Sequence, residues 1–193
     1  KRSTAAFLED QDFFRFFGIF RDVKLVARGC NHLKDMWIKP QVDNSFQNGW
    51  VDIHLAIENK TTKGQLGVRI LDGTGYEIFQ KKVVLKDELS IHIPIENIKL
   101  WDHFQPNLYT AEFETFDETG ITEYSSYPFG FRKIEIKDKV IYLNGRRMII
   151  NGVNRHEWHP ETGRVITIED MKKDLETIKK ANINGVRTSH YPN

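Results

Sequence analysis

The chain is short of cysteine, of excess charge and of long apolar runs, and each shortage narrows what it can be. One cysteine, Cys30, among 193 residues excludes an internal disulfide and any thiolate metal cluster. An isolated thiol of this kind reads as a small buried or half-exposed side chain rather than a reactive one. It is compatible with a reducing cytoplasm, the compartment expected here, without demanding it. The 28 Lys and Arg nearly cancel the 27 Asp and Glu, leaving a net charge of +1. Phosphate binding needs clustered basic excess, so no nucleic-acid partner is expected. No apolar run approaches the roughly 20 residues that cross a bilayer, and no signal-peptide pattern opens the chain. No membrane partner is expected either.

What is present is an ordinary globular composition, 39% apolar and 28% charged, long enough for one or two domains with a sizeable core. The 13 Phe, 6 Tyr and 4 Trp can serve a β-sandwich core or stack on sugar rings. Between residues 40 and 135 the core reading is the expected one.

Residues 1–12 are polar and unpatterned, and the chain reads as beginning mid-protein. Gly18 to Val26 alternates, with Val23 and Leu25 on one face, so a strand is expected there. From Trp37 to about Arg132 the pattern is all-β. Val51, Ile53, Leu55 and Ile57 alternate with polar neighbours, and Leu66, Val68 and Ile70 repeat the theme. About seven short strands separated by turn chemistry predict an immunoglobulin-like sandwich. Pro94 should place its strand at an edge or end it early. His54 and His92 oppose the apolar residues and read as solvated sheet-face side chains. Asp117-Glu118-Thr119-Gly120 lacks the further carboxylates of a calcium loop and reads as a hairpin turn.

Near residue 133 the pattern changes. Asn144-Gly145 between two apolar segments is a type I′ hairpin signal. Thr167 is a helix N-cap with Asp170 three residues on, and Ile166 with Met171 suits a hydrophobic staple. Ile168, Met171, Leu175, Ile178 and Ala181 form a helical stripe, with Asn184-Gly185 expected to close the helix. Val186-Arg187-Thr188 reads as a short buried strand. Strand, capped helix and strand make the unit that builds (β/α)₈ barrels, whose functional groups lie at strand C-terminal ends.

Two segments at those ends concentrate polar side chains: Asn154-Arg155-His156-Glu157-Trp158-His159-Pro160 and Arg187-Thr188-Ser189-His190-Tyr191-Pro192-Asn193. A neutral imidazole offers a sugar hydroxyl one donor and one acceptor, which suits His156 and His190 to substrate contact. Arg187 can orient a carboxylate through its planar fork. His159, beside Pro160, reads as structural or exposed. A zinc pair is excluded at His156 and His159, whose spacing of three precedes a proline instead of lying along a helix.

Gly18-Ile19-Phe20-Arg21-Asp22-Val23, Asn151-Gly152-Val153-Asn154-Arg155-His156-Glu157 and the closing Arg187–Asn193 segment resemble the β-galactosidases of glycoside hydrolase family 2. The Ile168 to Leu175 run fits the same resemblance. It implies a fold that is mainly β, an immunoglobulin-like β-sandwich followed by the first βα unit of a truncated (β/α)₈ barrel. The implied domains are the end of a jelly-roll sugar-binding domain at 1–35, the sandwich at 36–133 and the start of the barrel at 134–193. A retaining glycosidase is implied, in which one carboxyl is acid and then base while a second forms the glycosyl-enzyme. The family's acid/base lies in an Asn-Glu pair, and this sequence contains no such dipeptide. Its nucleophile lies later still, and by the resemblance the family's magnesium ligands are not among these residues either. The segment by itself is therefore expected to be inactive, with no catalytic residue of its own.

By the resemblance, Asp22 touches the galactose hydroxyls and shares a sodium ion, and His156 and His190 bind substrate. Arg187 then orients a carboxylate in the pocket, and Glu157 orients its loop. The implied partner is a terminal β-galactoside, with magnesium and sodium in a whole protein that is a homo-oligomer. β-Glucuronidases share the second histidine motif but differ around the first and around Gly18 to Asp22, and they remain the alternative within the family. A non-catalytic carbohydrate-binding sandwich is the alternative outside it.

Overall fold

Val51, Ile53, Leu55 and Ile57 are all buried, while Asp52, His54 and Ala56 between them, and Glu58 after them, keep contact with solvent. That period-two split is what a strand with one solvated face produces. The computed structural model describes residues 18–19, 21–59 and 64–189. Among them, seven strands precede residue 130: β1 (Asn31–Val42), β2 (Gly49–Asn59), β3 (Gln65–Leu71), β4 (Glu77–Val84), β5 (Glu88–Ile95), β6 (Tyr109–Asp117) and β7 (Gly120–Phe129).

They form two antiparallel sheets, ordered β1-β2-β5 and β4-β3-β6-β7. In the constant-type immunoglobulin arrangement the fourth strand belongs to the first sheet; here it joins the second. Val51, Ile53 and Ile93 from one sheet and Leu66, Val68, Ile70 and Phe113 from the other belong to a single buried cluster. Fully burying each such side chain contributes roughly 1.5–3 kcal/mol before entropy is set against it. The aromatic core is real: Tyr109 meets Phe131 edge-on with ring centroids 5.0 Å apart, and its hydroxyl accepts a 2.8 Å hydrogen bond from Lys99 N. Other rings, among them Phe104 and Tyr76, lie outside it.

Pro40, Pro94 and Pro128 sit in β1, β5 and β7, all edge strands. Proline has no N–H for a second ladder, so an edge accommodates it. β5 runs through Pro94 to Ile95 as an edge strand, as its sequence predicts. β1 begins at Asn31, earlier than the alternation suggests. A register shift between Leu33 and Asp35 breaks the period there, so the strand's start does not stand out in the sequence.

Side chains close the turns. Asp72 Oδ1 accepts from Thr74 N at 2.8 Å and Tyr76 N at 3.1 Å. Asp117 Oδ1 accepts from Thr119 N at 2.7 Å, and Asp117 pairs with Gly120 as a hairpin. The carboxylate is engaged by its own turn.

After the sandwich, β8 (Ile134–Lys137), β9 (Val140–Leu143) and β10 (Arg146–Arg147) form an antiparallel meander. Asn144 and Gly145 have φ of 51° and 74°, the paired positive values of the type I′ turn. Asp138 and Lys139 do the same at 49° and 65°, a second tight turn that no glycine signals. Asn144 also joins the meander to the sandwich: Nδ2 donates to Trp101 O at 3.0 Å, and Oδ1 accepts from Lys133 N at 2.9 Å.

Two compact units result, Val26–Ile149 and, separately, Lys1–Leu25 with Ile150–Asn193. In the second unit β11 (Gly152–Arg155) and β12 (Gly185–Thr188) pair in parallel, joined through α1 (Ile168–Lys180). Thr167 and Asp170 form a reciprocal capping box at the start of α1.

Three expectations need correction. The helix ends at Lys180, before Asn184-Gly185. Asn182, with φ 55°, takes the left-handed position, and Ile183 N reaches Ile178 O at 3.2 Å, a Schellman closure that asparagine tolerates. The strand at Val186-Arg187-Thr188, expected to be buried, is exposed along all three residues, and the apolar stripe of α1, present as expected, likewise has no buried residue. Two strands present too little surface to cover it. Third, the alternating Gly18 to Val26 segment is in no strand among the described residues, and Val23 and Leu25 are exposed. Alternation needs a ladder partner to become a strand. Among the described residues no helix is long and apolar enough to cross a membrane.

Candidate functional site

Parallel pairing of β11 with β12 sets Asn154 opposite Arg187 and Arg155 opposite Thr188. Cross-strand neighbours share a face, and Asn154 Oδ1 lies 3.5 Å from Arg187 Nη1. The guanidinium is thus oriented from one side while remaining exposed, with its other N–H groups available to a planar anion. The ladder extends one step past β12, where Ser189 N donates to Arg155 O at 2.9 Å and Ser189 is buried. His156 follows β11 at that level and is half-buried.

Residues one position on either side of His156 point elsewhere. Arg155 Nε and Nη2 lie 2.9 Å and 2.8 Å from Asp174 Oδ2 on α1, and Nη1 donates to Glu157 Oε1. The Arg155 and Glu157 side chains are each only 11% exposed. Glu157 therefore packs as the buried partner of a guanidinium. His159 is structural. Its Nδ1 accepts from Glu161 N at 3.2 Å and Thr162 N at 3.4 Å, so the ring proton resides on Nε2. Its backbone bridges Gly163 in both directions, at 2.7 Å and 2.9 Å. The loop between β11 and α1 is folded around it.

Asp22 belongs to the same compact unit as His156 and Arg187, and its Oδ2 lies 3.5 Å from Lys24 Nζ at an exposed position. A sodium ion takes several oxygens, and one carboxylate beside a lysine supplies only part of such a shell. Among the described residues no group of three or more His, Cys, Asp or Glu side chains could hold a metal ion. His190 lies outside the described residues.

On the sandwich, His54 Nδ1 is 3.0 Å from Ser90 Oγ and His92 Nδ1 is 2.7 Å from Asp52 Oδ1, all on the solvated face. His92 is the leading cause holding the Asp52 carboxyl below its usual range. Both rings have sheet neighbours, as their alternation implies. Sequence reasoning missed Asn154 and Asp174. The first could have been found by counting the strand period back from His156. Nothing short-range marks the second, which lies 19 residues from Arg155.

Residues 31–132 match the family described as glycosyl hydrolases family 2, and residues 134–193 match its TIM barrel domain. The chain is 50% identical over 200 residues to a β-galactosidase large subunit of Latilactobacillus sakei, covering all of this chain and 31% of that protein. It is 42% identical over 195 residues to a β-galactosidase of Clostridium acetobutylicum, covering 100% of this chain and 22% of that one. Among solved structures, β-glucuronidase 3 of Bacteroides uniformis superposes with a TM-score of 0.78 at 29% identity, covering 84% of this chain and 20% of that chain. The chain spans about a third or less of the length of the curated relatives it matches. The sandwich and the parallel βαβ unit that follows it are the arrangement those two family regions describe, and the chain belongs to glycosyl hydrolases family 2.

Proposed function

We propose that the chain is part of a retaining β-galactosidase that hydrolyses terminal, non-reducing β-D-galactose residues. One observation carries this reading: over its whole length the chain is 50% and 48% identical to proteins named β-galactosidase large subunit. A β-glucuronidase is the second reading. It is favoured by the β-glucuronidases among the solved structures, at the lower identity of 29%.

In the proposed site Arg187, steadied by Asn154, orients a carboxylate near the sugar through its fork. His156 and His190 exchange hydrogen bonds with sugar hydroxyls, each neutral ring offering a donor and an acceptor. Asp22 accepts from galactose hydroxyls and contributes an oxygen to a sodium ion. Magnesium would bind elsewhere in the whole protein, which is proposed to be a cytoplasmic homo-oligomer. Retaining hydrolysis requires an acid/base carboxyl and a nucleophilic carboxyl about 5–5.5 Å apart. Neither is assigned to this chain, so the segment alone is proposed to be inactive.

The test compares the whole protein with residues 1–193 on chromogenic β-galactosides and β-glucuronides. The whole protein should prefer the galactoside, and the segment should turn over neither. A preference for the glucuronide moves the assignment to the second reading. No turnover by the whole protein, together with retention on immobilised galactan, makes it a carbohydrate-binding module. Turnover by the segment overturns its proposed inactivity.

A further inference from the structure

His156 is flanked on both sides by residues bound to one another. Arg155, the last residue of β11, sends its guanidinium to Glu157 Oε1, so the pair brackets His156 within three consecutive residues. The same guanidinium reaches Asp174 Oδ2 through Nε at 2.9 Å and Nη2 at 2.8 Å. Arg155 and Glu157 are largely withdrawn from solvent, at 11% exposure each, whereas Asp174 is half exposed on the middle turns of α1. α1 is itself fixed at its start by the Thr167–Asp170 capping box.

Arginine suits this task because its planar fork serves two carboxylates at once, which a lysine ammonium on a flexible stem would do without fixed direction. Strand alternation separates the two sets of side chains. Asn154 and Arg187 share one face of the parallel pair, and Arg155 points to the other, where α1 supplies Asp174. The residues entering and leaving His156 are thereby tied through Arg155 to α1.

We infer that Asp174 is a positioning residue: through Arg155 and Glu157 it fixes the backbone on both sides of His156 and so sets where that imidazole meets the sugar. The inference rests on the reading of His156 as a sugar-binding group. Asp174 touches no substrate. Losing it would leave Arg155 with Glu157 alone and release the loop from α1. Displacing a positioned group by about 1 Å costs on the order of 100-fold in rate.

The experiment uses the whole protein and four variants, Asp174→Asn, Asp174→Glu, His156→Ala and the Asp174→Asn/His156→Ala double variant. Glu176→Gln, an exposed change on the same helix, is the control. Each is assayed on whichever of the β-galactoside and β-glucuronide the wild type turns over. Asp174→Asn should lower kcat/KM by about 10- to 100-fold, Asp174→Glu should recover part of it, and Glu176→Gln should change nothing. In the His156→Ala background Asp174→Asn should have little further effect, because both changes remove the same positioned group. Additive losses, or an Asp174→Asn variant with wild-type kinetics, overturn the inference.

Hydrogen exchange on the same proteins gives a readout independent of turnover. Asp174→Asn should speed exchange of the amides of residues 156–158 while leaving β2 and β6 protected. Unchanged exchange at 156–158 also overturns the inference. If the whole protein cleaves neither glycoside, the functional reading fails and the exchange result alone decides whether Asp174 holds the loop.

Discussion

Asn154 and Arg187 meet across a parallel ladder, Oδ1 to Nη1 at 3.5 Å, although 33 positions separate them in the chain. The contact is long for a hydrogen bond and both side chains are exposed, so it guides the guanidinium more than it stabilises the fold. Asn154→Ala in the whole protein should leave thermal stability within about 0.5 kcal/mol of wild type. If the proposed function holds, it should lower kcat/KM for the glycoside that the whole protein turns over severalfold, and Arg187→Lys should do the same because an ammonium has no planar fork. Steady-state kinetics beside a melting curve separates the two effects. Wild-type kinetics in Asn154→Ala would remove Asn154 from the site.

The N-terminus of α1 depends on two side chains. Thr167 Oγ1 accepts from Asp170 N at 3.2 Å, and Asp170 Oδ2 accepts from Thr167 N at 3.0 Å. Thr167→Ala should cost about 1 kcal/mol, and Thr167→Ser should restore most of it. Urea unfolding followed by far-UV circular dichroism would measure the change. Equal midpoints for Thr167→Ala and wild type would mean that the cap is not formed in solution.

Acid should weaken the fold through its turn carboxylates. The hydroxyl of Thr74 holds the Asp72 carboxyl low, that of Thr119 does so for Asp117, and the Thr167 amide does so for Asp170. A carboxyl whose folded pKa is depressed binds fewer protons folded than unfolded, so its contribution is complete above the ordinary value near 4. That contribution is lost as pH falls through the lower folded value. The urea midpoint should therefore be level between about pH 6 and 5 and decline below about 4. Thr119→Val should shrink the decline by removing the largest cause at Asp117. A midpoint that rises on acidification would contradict the assignment.

Asn144 combines two requirements that few residues meet together. Its φ is 51°, and its amide spans Trp101 O and Lys133 N. Asn144→Gly keeps the turn and loses the bridge, whereas Asn144→Ala loses the bridge and strains the turn. Alanine should be the more destabilising, by about 1 kcal/mol, in parallel denaturation curves. The reverse order would locate the importance of Asn144 elsewhere than in its backbone.

Phe113 lies at the centre of the sandwich with 2% of its surface exposed. Phe113→Ala should cost about 3–5 kcal/mol, and Phe113→Leu far less. Soluble yield and the urea midpoint report both. A loss under about 1 kcal/mol for alanine would show that the core collapses around the gap.

Short-range chemistry explains what could be read from the residues alone. The alternation of Val51 to Ile57, the Asn144-Gly145 turn, the Thr167 cap and the edge position of Pro94 each depend on a few neighbouring residues. The left-handed close at Asn182 was less legible because Asn184-Gly185, two residues on, has the stronger local preference. The Val23 to Leu25 alternation misled for a different reason: a strand is made by its partner, which no residue of its own can supply.

By itself the sequence determined the alternating sandwich strands, the Asn144-Gly145 turn and the capped start of the helix, because each is encoded by spacing within about one turn or one strand. Only the tertiary structure decided which side chains meet. The parallel register brings Asn154 to Arg187, and the crossover through α1 brings Asp174 to Arg155. Those contacts join residues whose separation in the chain carries no local signal, and the fold alone makes them neighbours.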